Sequence, residues 1–576
     1  MKQFNRAFFR DLWKLAKPYW WSSDERWFAR GILALVIVLN LLMVYINYRI
    51  TEWYNTFYND LQQYRAAAAW HGMLIFLLLA TPYIIAAVYQ TYLTQMLQIR
   101  WRRWLTVRYL DSWLANGTYY HMQVLGDGTD NPDQRISSDL DTFTSQTLGL
   151  IVGILSSVTT IVAFVAMLWG LSSQVALPWH GGKLVIPGYL VWAALIYSIA
   201  GTIIIALVGR PLIRLNFNQE RYEADFRFSM VRLRENSESV ALYHGEVQEH
   251  EHFLARFGNL FSNFWQIMKR TRRLNWWASG YGQAAIIFPT LVSLPAYFAK
   301  VIKIGTLFQI GSAFGQVQGA LSFIVNSYTG LASWHAVVDR LRYFDQSMEE
   351  IRGIQKTHFK IVRQTGPDLR VRNLDIRLPD NRDLLKQLNV ELLQGGHMLI
   401  VGRSGSGKST LIRALAGIWP FGEGEVDLPQ SDVTLFLPQR PYLPLGTLKD
   451  VLIYPFGTPG TDDAELRAVL DMAGLPELGN QLSETRLWAQ LLSPGEQQRL
   501  AFARVFLQRP AWVFMDEATS ALDEPAESRL YEALVRELPK TAVVSVGHRA
   551  SLSAFHESRL VLAGDGSWRS EAITHS

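Results

Sequence analysis

The sequence contains no cysteine among its 576 residues, and only 18% of its residues are charged. The absence of cysteine excludes disulfide bonds, thiolate catalysis and cysteine-ligated metals. A soluble domain has roughly a quarter of charged residues, so this composition favours a chain that lies partly outside water. The net charge is a modest +5, and the basic residues lie mostly between apolar runs. This distribution argues against a nucleic-acid partner, which would need them clustered on one face.

The N-terminal segment, residues 1–28, lacks the apolar run and the small-residue cleavage site of a signal peptide. Its basic and aromatic residues recur at helical spacing. This pattern predicts an interfacial helix that lies in a membrane surface, with a soluble amphipathic helix as the alternative. The 20 Trp, 23 Tyr and 29 Phe of the chain fit the same setting, because aromatic rings are enriched at membrane–water interfaces.

Long apolar runs fill the first 335 residues and then stop. Six of them approach the roughly 20 residues that cross a hydrocarbon core, and we predict a transmembrane domain with six spans over residues 29–345. The runs lie near 29–48, 71–95, 147–171, 186–208, 277–299 and 308–330. The sixth run is polar and rich in glycine, which predicts contact with other helices or with a water-filled path.

Lys and Arg are concentrated in two connections, between runs two and three and between runs four and five. Because positively charged connections stay in the cytoplasm, we expect both termini to be cytoplasmic. The same two connections are long, so we expect the spanning helices to extend beyond the bilayer.

Charged residues are absent from the middle of every apolar run, and no intramembrane proton relay is visible. Glu52, just beyond the first run, is the nearest candidate for such a role. The simpler interpretation is an acid that is solvated at the interface.

From about Gly366 onward, short β-rich runs alternate with helical ones. This predicts a linker at 346–366 and an α/β nucleotide-binding domain at 367–576. A buried strand, "HMLIVG", leads directly into "GRSGSGKST" and then into a helix, which is the context that confirms a P-loop. Its glycines turn backbone N–H groups toward phosphates, Lys408 adds a charge, and Ser409 offers its hydroxyl to Mg²⁺. The predicted ATP-binding residues of the loop are Gly402, Arg403, Ser404, Gly405, Ser406, Gly407, Lys408, Ser409 and Thr410.

Polar residues also follow three further apolar strands, and phosphates bind at the carboxyl ends of the strands in a parallel sheet. In "WVFMDE", Asp516 is predicted to hold Mg²⁺ and Glu517 to act as the general base on the attacking water. His548 ends "TAVVSVGH" and is predicted to contact the γ-phosphate. Gln439, in "LFLPQRPYLP", is predicted to contact Mg²⁺ and the attacking water, with a surface-loop amide as the alternative.

A helix start lies in "LSPGEQQRLAFAR", about ninety residues after the P-loop. Ser493 is predicted as the N-cap, Pro494 as the first helical residue and Glu496 as the second half of a capping box. The free N–H groups and the dipole of such a helix favour an anion. A capped helix with no ligand is the alternative.

The order of these motifs resembles the nucleotide-binding domain of ABC transporters. The resemblance implies a signature at 492–496, a D-loop at 520–523, and ATP contacts from Ser493, Gly495, Glu496 and Asp523. In that family the signature binds the nucleotide held by the partner's P-loop. Two departures are visible: Pro494 and Glu496 replace the commoner Gly and Gln, and Leu378 stands where an aromatic residue usually stacks on adenine.

The membrane half resembles the SbmA/BacA-like transporters in "EWYNTFYNDLQ", "NPDQRISSDL" and "EADFRFSMVRLRENSESVALYHGE". Two segments of the ATPase half, "FLPQRPYLPLGTL" and "SVGHRASLSAFH", resemble the peroxisomal acyl-CoA transporters of ABC subfamily D. The resemblance implies an exporter-type fold in a bacterial inner membrane, with the ATPase domain in the cytoplasm. It also implies two segments that dock on ATPase domains, at 130–139 and 235–246.

The whole pattern predicts a homodimeric half-transporter that uses ATP and Mg²⁺ to drive alternating access. By resemblance, the substrate is cobalamin or a peptide, that is, a hydrophilic or amphipathic molecule. Transport of lipid or fatty acyl-CoA is an alternative, as is a membrane-bound regulatory ATPase that moves nothing. A proton-driven permease is disfavoured because every catalytic position is filled, and the apolar runs argue against a soluble ATPase.

Overall fold

The computed structural model describes residues 6–125, 131–173, 177–179, 182–184, 187–365, 368–428, 434–457 and 460–574. The chain divides into two compact units. The first comprises Met1–Asp111 and Asn131–Phe344, and the second comprises Ser112–Asp130 and Asp345–Ser576. We call them the membrane unit and the ATPase unit.

The membrane unit is helical apart from one short hairpin. Its elements, in chain order, are α1 (Arg6–Ser22), α2 (Arg26–Gln62), α3 (Ala66–Leu114), α5 (Pro132–Gln134), α6 (Leu140–Ser173), β1 (Leu177–Trp179), β2 (Gly182–Leu184), α7 (Tyr189–Glu235), α8 (Ser237–Leu242), α9 (Glu246–Phe298), α10 (Ile304–Asn326) and α11 (Tyr328–His358). Helices α3 and α11 continue into the ATPase unit, and α4 (Thr118–Leu125), which follows α3 in the chain, belongs to the ATPase unit.

Each of the six predicted spans coincides with a helix. Among the described residues, four helical segments are long and apolar enough to cross a membrane: Arg26–Gln62, Ala66–Leu125, Pro132–Ser173 and Tyr189–Glu235. Helices α9 and α10 cover the fifth and sixth apolar runs but are not among these four. The six-span count therefore stays a prediction.

The helices are much longer than a bilayer requires. Helix α3 has 49 residues and α9 has 53, which correspond to about 73 and 80 Å at 1.5 Å per residue. A hydrocarbon core is only about 30 Å thick. The expectation that the helices extend beyond the membrane agrees with these lengths.

Helix α1 has an amphipathic pattern that suits a surface location. Phe8, Leu15 and Tyr19 are buried in the membrane unit, whereas Trp13 and Trp21 are exposed. Exposed indoles beside basic residues are typical of an interfacial helix.

The first predicted docking segment, 130–139, stays a prediction. Asp130 lies outside the described residues, and the following residues belong to the membrane unit, where Asp139 forms an ion pair with Arg340 at 2.7 Å. The segment that groups with the ATPase unit is Ser112–Asp130, which contains α4. There Nε2 of His121 lies 3.1 Å from the carbonyl oxygen of Ile418, and Val124 packs on the apolar core.

The described part of the ATPase unit contains a six-stranded, a four-stranded and a two-stranded sheet (Gly446–Thr447 with Thr485–Arg486), with helices around them. Its strands are β3 (Phe359–Thr365), β4 (Leu369–Arg377), β5 (Asp383–Leu392), β6 (His397–Gly402), β7 (Gly422–Leu428), β8 (Thr434–Leu437), β9 (Gly446–Thr447), β10 (Thr485–Arg486), β11 (Trp512–Asp516), β12 (Ala542–Val546), β13 (Ser558–Leu562) and β14 (Trp568–Ala572). Its remaining helices are α12 (Lys408–Leu415), α13 (Leu448–Ile453), α14 (Asp463–Met472), α15 (Trp488–Leu491), α16 (Pro494–Gln508) and α17 (Glu524–Glu537).

The six-stranded sheet has the order β14-β13-β6-β12-β11-β8, and all its strands except β14 run parallel. Its central strands are almost fully buried, as continuous apolar runs require in a sheet covered on both faces. The register pairs Asp516 with Val546 and Val546 with Ile400. The loops after β6, β11 and β12 therefore leave the sheet at the same edge.

The described part of the predicted linker 346–366, residues 346–365, consists of the end of α11 and of β3. Strand β3 pairs in parallel with β7 in the four-stranded sheet, whose order is β3-β7-β4-β5.

Candidate functional site

The P-loop connects β6 to α12 and has the backbone geometry of a phosphate cradle. Gly405 and Gly407 have φ angles of 79° and 97°, and Gly407 is the N-cap of α12. A side chain at Gly407 would also lie within 2.8 Å of Leu384. Glycine is required there for both reasons. The result is a helix N-terminus at the sheet edge, which favours an anion.

Two side chains of the loop fit the phosphates of ATP. Lys408 donates from Nζ to the carbonyl oxygens of Gly402 and Arg403 at 2.9 and 3.0 Å. Burial lowers the pKa of its ammonium, and the carboxylates of Glu517 and Asp516 oppose that shift. The hydroxyl of Ser406 is buried and has no hydrogen-bond partner among the described residues. A phosphate oxygen would supply one, because a buried hydroxyl without a partner is costly.

Oxygen atoms suited to a hard cation lie beside the loop. The Ser409 hydroxyl donates to Oδ1 of Asp516 at 2.9 Å. Burial raises the pKa of the Asp516 carboxyl, while the bond from Ser409 lowers it. Gln439 donates a hydrogen bond from Nε2 to Glu517. This bond leaves the amide oxygen of Gln439 unused. Hydroxyl, carboxylate and amide oxygens are ligands that Mg²⁺ accepts.

The three predicted catalytic residues lie together, because the side chains of Gln439 and His548 both lie against the carboxylate of Glu517. Glu517 follows β11 with a φ angle of 48°, which turns its side chain out of the strand direction. Its Oε2 accepts from Nε2 of Gln439 at 2.8 Å, and its Oε1 lies 3.4 Å from Nε2 of His548. These three residues come from three separate loops, and the parallel sheet brings those loops to one edge.

The other predicted ATP contacts occupy loop and cap positions. Arg403, Ser404 and Gly405 are exposed, and Ser409 and Thr410 are half-buried. Asp523 is the exposed N-cap of α17 and accepts from the backbone of Ala526 at 2.9 Å. Leu378 lies in a turn in which its N–H donates to the carbonyl of Arg382.

The signature helix begins as the sequence predicts. Ser493 is the N-cap of α16, Pro494 is its first residue, and Glu496 completes the capping box. The Glu496 carboxylate accepts from both N and Oγ of Ser493, at 2.8 and 2.6 Å. These hydrogen bonds lower the pKa of Glu496. Its negative charge is thus held by the start of its own helix.

The signature and the P-loop are not joined within the chain. Over residues 368–428 and 460–574, no hydrogen bond or ion pair in the structure links 493–496 to 402–410. The signature contacts the loop after β11 instead. A side chain at Gly495 would lie 3.2 Å from the carbonyl oxygen of Ala521, which keeps the helix start close to the D-loop.

Gln498 is a site residue that the sequence reasoning missed. It is buried in α16, and its Nε2 lies within hydrogen-bond distance of Gln439 O and Ser520 Oγ, at 3.1 and 3.2 Å. Its Oε1 accepts from the backbone of Ala521 at 2.9 Å. The side chain therefore fixes the glutamine loop and the D-loop to the signature helix. Only its place two residues after the signature could have drawn attention to it.

Glu527, on α17, is a second missed residue. It is 1% exposed and accepts hydrogen bonds from the hydroxyls of Thr519 and Ser551, at 2.6 and 2.9 Å. Its carboxylate also lies 3.7 Å from Nη1 of Arg549. Thr519 follows Glu517 by two residues and Arg549 follows His548 directly, so Glu527 connects the two catalytic loops.

Replacing Pro494 with glycine is expected to leave ATP turnover within a few-fold of the wild type. Proline lacks an N–H, but the first N–H of a helix has no intrahelical partner in any case. The missing N–H at position 494 is therefore needed neither to form the capped start of α16 nor to contact the nucleotide. The measurement is phosphate release by the purified protein at saturating ATP. A change of a hundredfold or more in either direction would show that the missing N–H controls the reaction.

Two protein families match the chain in separate regions: "ABC transporter transmembrane region 2" over residues 20–298 and "ABC transporter" over residues 385–520. An uncharacterized ABC transporter ATP-binding protein of Haemophilus influenzae is 37% identical, over 95% of this chain and 93% of that protein. The inner membrane ABC transporter ATP-binding protein YddA of Escherichia coli is 32% identical, over 93% and 94%. The lysosomal cobalamin transporter ABCD4 of Mus musculus is 28% identical, over 95% and 93%. The chain therefore belongs to the ABC transporter family, with a transmembrane region and an ATPase domain fused in one polypeptide of the half-transporter type.

Proposed function

We propose that two copies of this chain form an ATP-driven transporter in which each copy supplies half of both ATP sites. The observation that carries the proposal is the separation of the P-loop from the signature helix within one chain. Each has its own anion-binding geometry, and no bond joins them in the described ATPase unit. A second copy, related by twofold symmetry, would place each signature opposite the other P-loop.

The residues divide the chemistry between them. The P-loop, with Lys408, would hold the phosphates of ATP, and Ser409, Asp516 and Gln439 would hold Mg²⁺, whose charge would offset that of the phosphoryl group. Glu517 accepts a proton from the attacking water, and His548 and Gln439 hold its carboxylate in place. Across the dimer, Ser493, Gly495, Glu496 and Asp523 contact the nucleotide from the partner's side.

Exposed apolar residues after α7 support contact with a partner. Leu242 at the end of α8 and the following Tyr243 are 73% and 85% exposed. Large side chains exposed together mark interaction sites. We therefore propose that the docking segment predicted at 235–246 contacts the ATPase unit of the partner subunit. Its movement relays ATP hydrolysis to the spans.

We place the transporter in the inner membrane of a bacterium, with six spans and with both termini and the ATPase unit in the cytoplasm. The support is the Lys and Arg bias of the connections and the similarity to an inner membrane transporter of E. coli.

The proposed activity is uptake of cobalamin or of peptides. Cobalamin is favoured by the similarity to a lysosomal cobalamin transporter, and peptides by the resemblance to the SbmA/BacA-like group. Movement of lipid or fatty acyl-CoA is the alternative suggested by the resemblance to ABC subfamily D. A regulatory ATPase without transport is the alternative of a different class.

The test is ATP-dependent accumulation of labelled cobalamin, a peptide or an acyl-CoA in proteoliposomes that contain the purified protein. We expect one substrate to accumulate at least tenfold more with ATP than without, and the Glu517→Gln variant to abolish the difference. The compounds to label are first selected from a panel, as those that stimulate ATP turnover by the purified protein. Robust ATP turnover with no accumulation or efflux of any compound would favour the regulatory ATPase.

A further inference from the structure

A cavity of about 650 Å³ lies inside the membrane unit, between α2, α3, α6 and α10. Pockets that bind small ligands have this size. Its lining includes Arg49, Glu52, Asp60 and His71, together with the aromatic side chains of Trp53 and Phe57. Charged groups around an empty space in a helical bundle are not a packing defect, since they mark substrate paths in membrane proteins.

The cavity lies at one end of the helices. Its residues in α3 are near the start of that helix, between Ala68 and Leu79. The last residue of α3, Leu114, is 35 positions beyond Leu79, or about 52 Å at 1.5 Å per residue. The chain enters the ATPase unit near that far end, at Ser112. If the ATPase unit is cytoplasmic, as proposed, this cavity opens near the opposite face of the membrane.

One wall of the cavity is fixed by contacts between α2 and α3. Trp53 donates from Nε1 to the carbonyl oxygen of Gly72 at 2.7 Å, and its ring stacks on Phe57 with centroids 4.5 Å apart. A side chain at Gly72 would lie 3.1 Å from Phe57. The two helices therefore stay close at this point.

The other wall is fixed by a row of amides between α2 and α10. Asn55 donates to Gln309 at 2.6 Å and accepts from Asn59 at the same distance. Asn59 in turn accepts from the N–H of Gly305 at 3.0 Å, where a side chain would lie 2.0 Å from the carbonyl oxygen of Asn55. With both walls held by hydrogen bonds, the space between them is preorganised for a ligand.

The charges on α2 are separated along the cavity. Arg49 and Asp60 are 11 residues apart on one helix, which is about 16 Å along its axis. Their present ion pairs are partly exposed to solvent: Arg49 pairs with Glu52 at 2.5 Å and Asp60 with Arg65 at 3.7 Å, and both arginines are more than half exposed. Exposed ion pairs contribute little, so a ligand can replace them.

We infer that this cavity is a binding site for an elongated zwitterion, with an ammonium group at one end and a carboxylate at the other. Asp60 holds the ammonium, Arg49 holds the carboxylate, and the Trp53–Phe57 wall covers the apolar middle. An extended peptide spans about 3.3–3.6 Å per residue, and a charge-assisted hydrogen bond takes up about 2.8 Å at each end. About three residues therefore fit between the two charged side chains. The inference rests on the proposed function, since it names where the transporter receives its substrate.

The test uses trialanine as the probe and measures its affinity for the purified full-length protein in nanodiscs without ATP. Two capped forms, N-acetyltrialanine and trialanine amide, each lack one charge. We expect each cap to weaken binding about tenfold, which is the loss of one charge-assisted hydrogen bond. Asp60→Asn should abolish the preference for trialanine over its acetylated form, and Arg49→Gln the preference over its amide. Asp225→Asn is the matched control, because Asp225 also forms an exposed ion pair, with Arg221 at 3.9 Å.

The inference is overturned if trialanine does not bind, if the capped forms bind equally well, or if either preference survives its variant. Failure of the proposed function has a different signature. If trialanine binds with the expected preferences but no compound is transported with ATP, the transport proposal is wrong and the binding site stands. If another substrate is transported but trialanine does not bind, the transport proposal stands and the inferred binding site is wrong.

Discussion

The Glu517→Gln variant is expected to turn over ATP at least a hundredfold more slowly than the wild type while it still binds ATP. Glutamine preserves the shape of the side chain and can accept the hydrogen bond from Gln439, but it cannot take a proton from water. General base catalysis is typically worth two to four orders of magnitude. The P-loop and Lys408 are unchanged, so the affinity for nucleotide should stay within a few-fold.

The measurement pairs phosphate release at saturating ATP with equilibrium binding of a fluorescent ATP analogue. Glu524→Gln is the matched control, because Glu524 is an exposed acid in the first turn of α17, a few residues further along the chain. It should behave as the wild type in both assays. Turnover by Glu517→Gln at the wild-type rate would remove Glu517 from the role of general base. Loss of nucleotide binding would instead show that Glu517 helps to form the phosphate site.

The arrangement of the loops at the candidate ATP site could be predicted because their signals are local in sequence. An apolar strand followed by glycines, or by Asp516 and Glu517, identifies a loop at the edge of a parallel sheet without knowledge of the neighbours. The capping box of Ser493 and Glu496 is likewise formed by residues three positions apart, and the structure contains both of its hydrogen bonds.

The residues that were missed act over long distances in sequence. Gln498 contacts Gln439, 59 residues away, and Glu527 contacts Ser551, 24 residues away. No periodicity or spacing marks such contacts, since they depend on how the loops pack. The place of α4 depends on packing in the same way: only tertiary contacts assign this short helix to the ATPase unit.

The Glu527→Ala variant is expected to destabilise the ATPase unit by about 3 kcal/mol, the typical cost of removing one partner from a buried charged pair. The hydroxyls of Thr519 and Ser551 would lose their acceptor, and Arg549 would lose its ion-pair partner. Because these three residues lie in the loops of Glu517 and His548, ATP turnover should also fall, by about tenfold or more. ATP affinity should change little, since the P-loop does not contact Glu527 in the described part of the ATPase unit.

Two further variants separate positioning from simple stability. Glu527→Gln keeps one acceptor oxygen and the same volume, so it should recover part of the stability and part of the turnover. Glu532→Ala removes an exposed acid from the same helix and should behave as the wild type. Thermal unfolding and ATP turnover well below the unfolding temperature are the two measurements. If Glu527→Ala unfolds early but turns over ATP normally at low temperature, Glu527 serves the fold alone. If turnover falls at a temperature where the protein is fully folded and nucleotide binding is intact, the buried carboxylate holds the catalytic loops in register with each other.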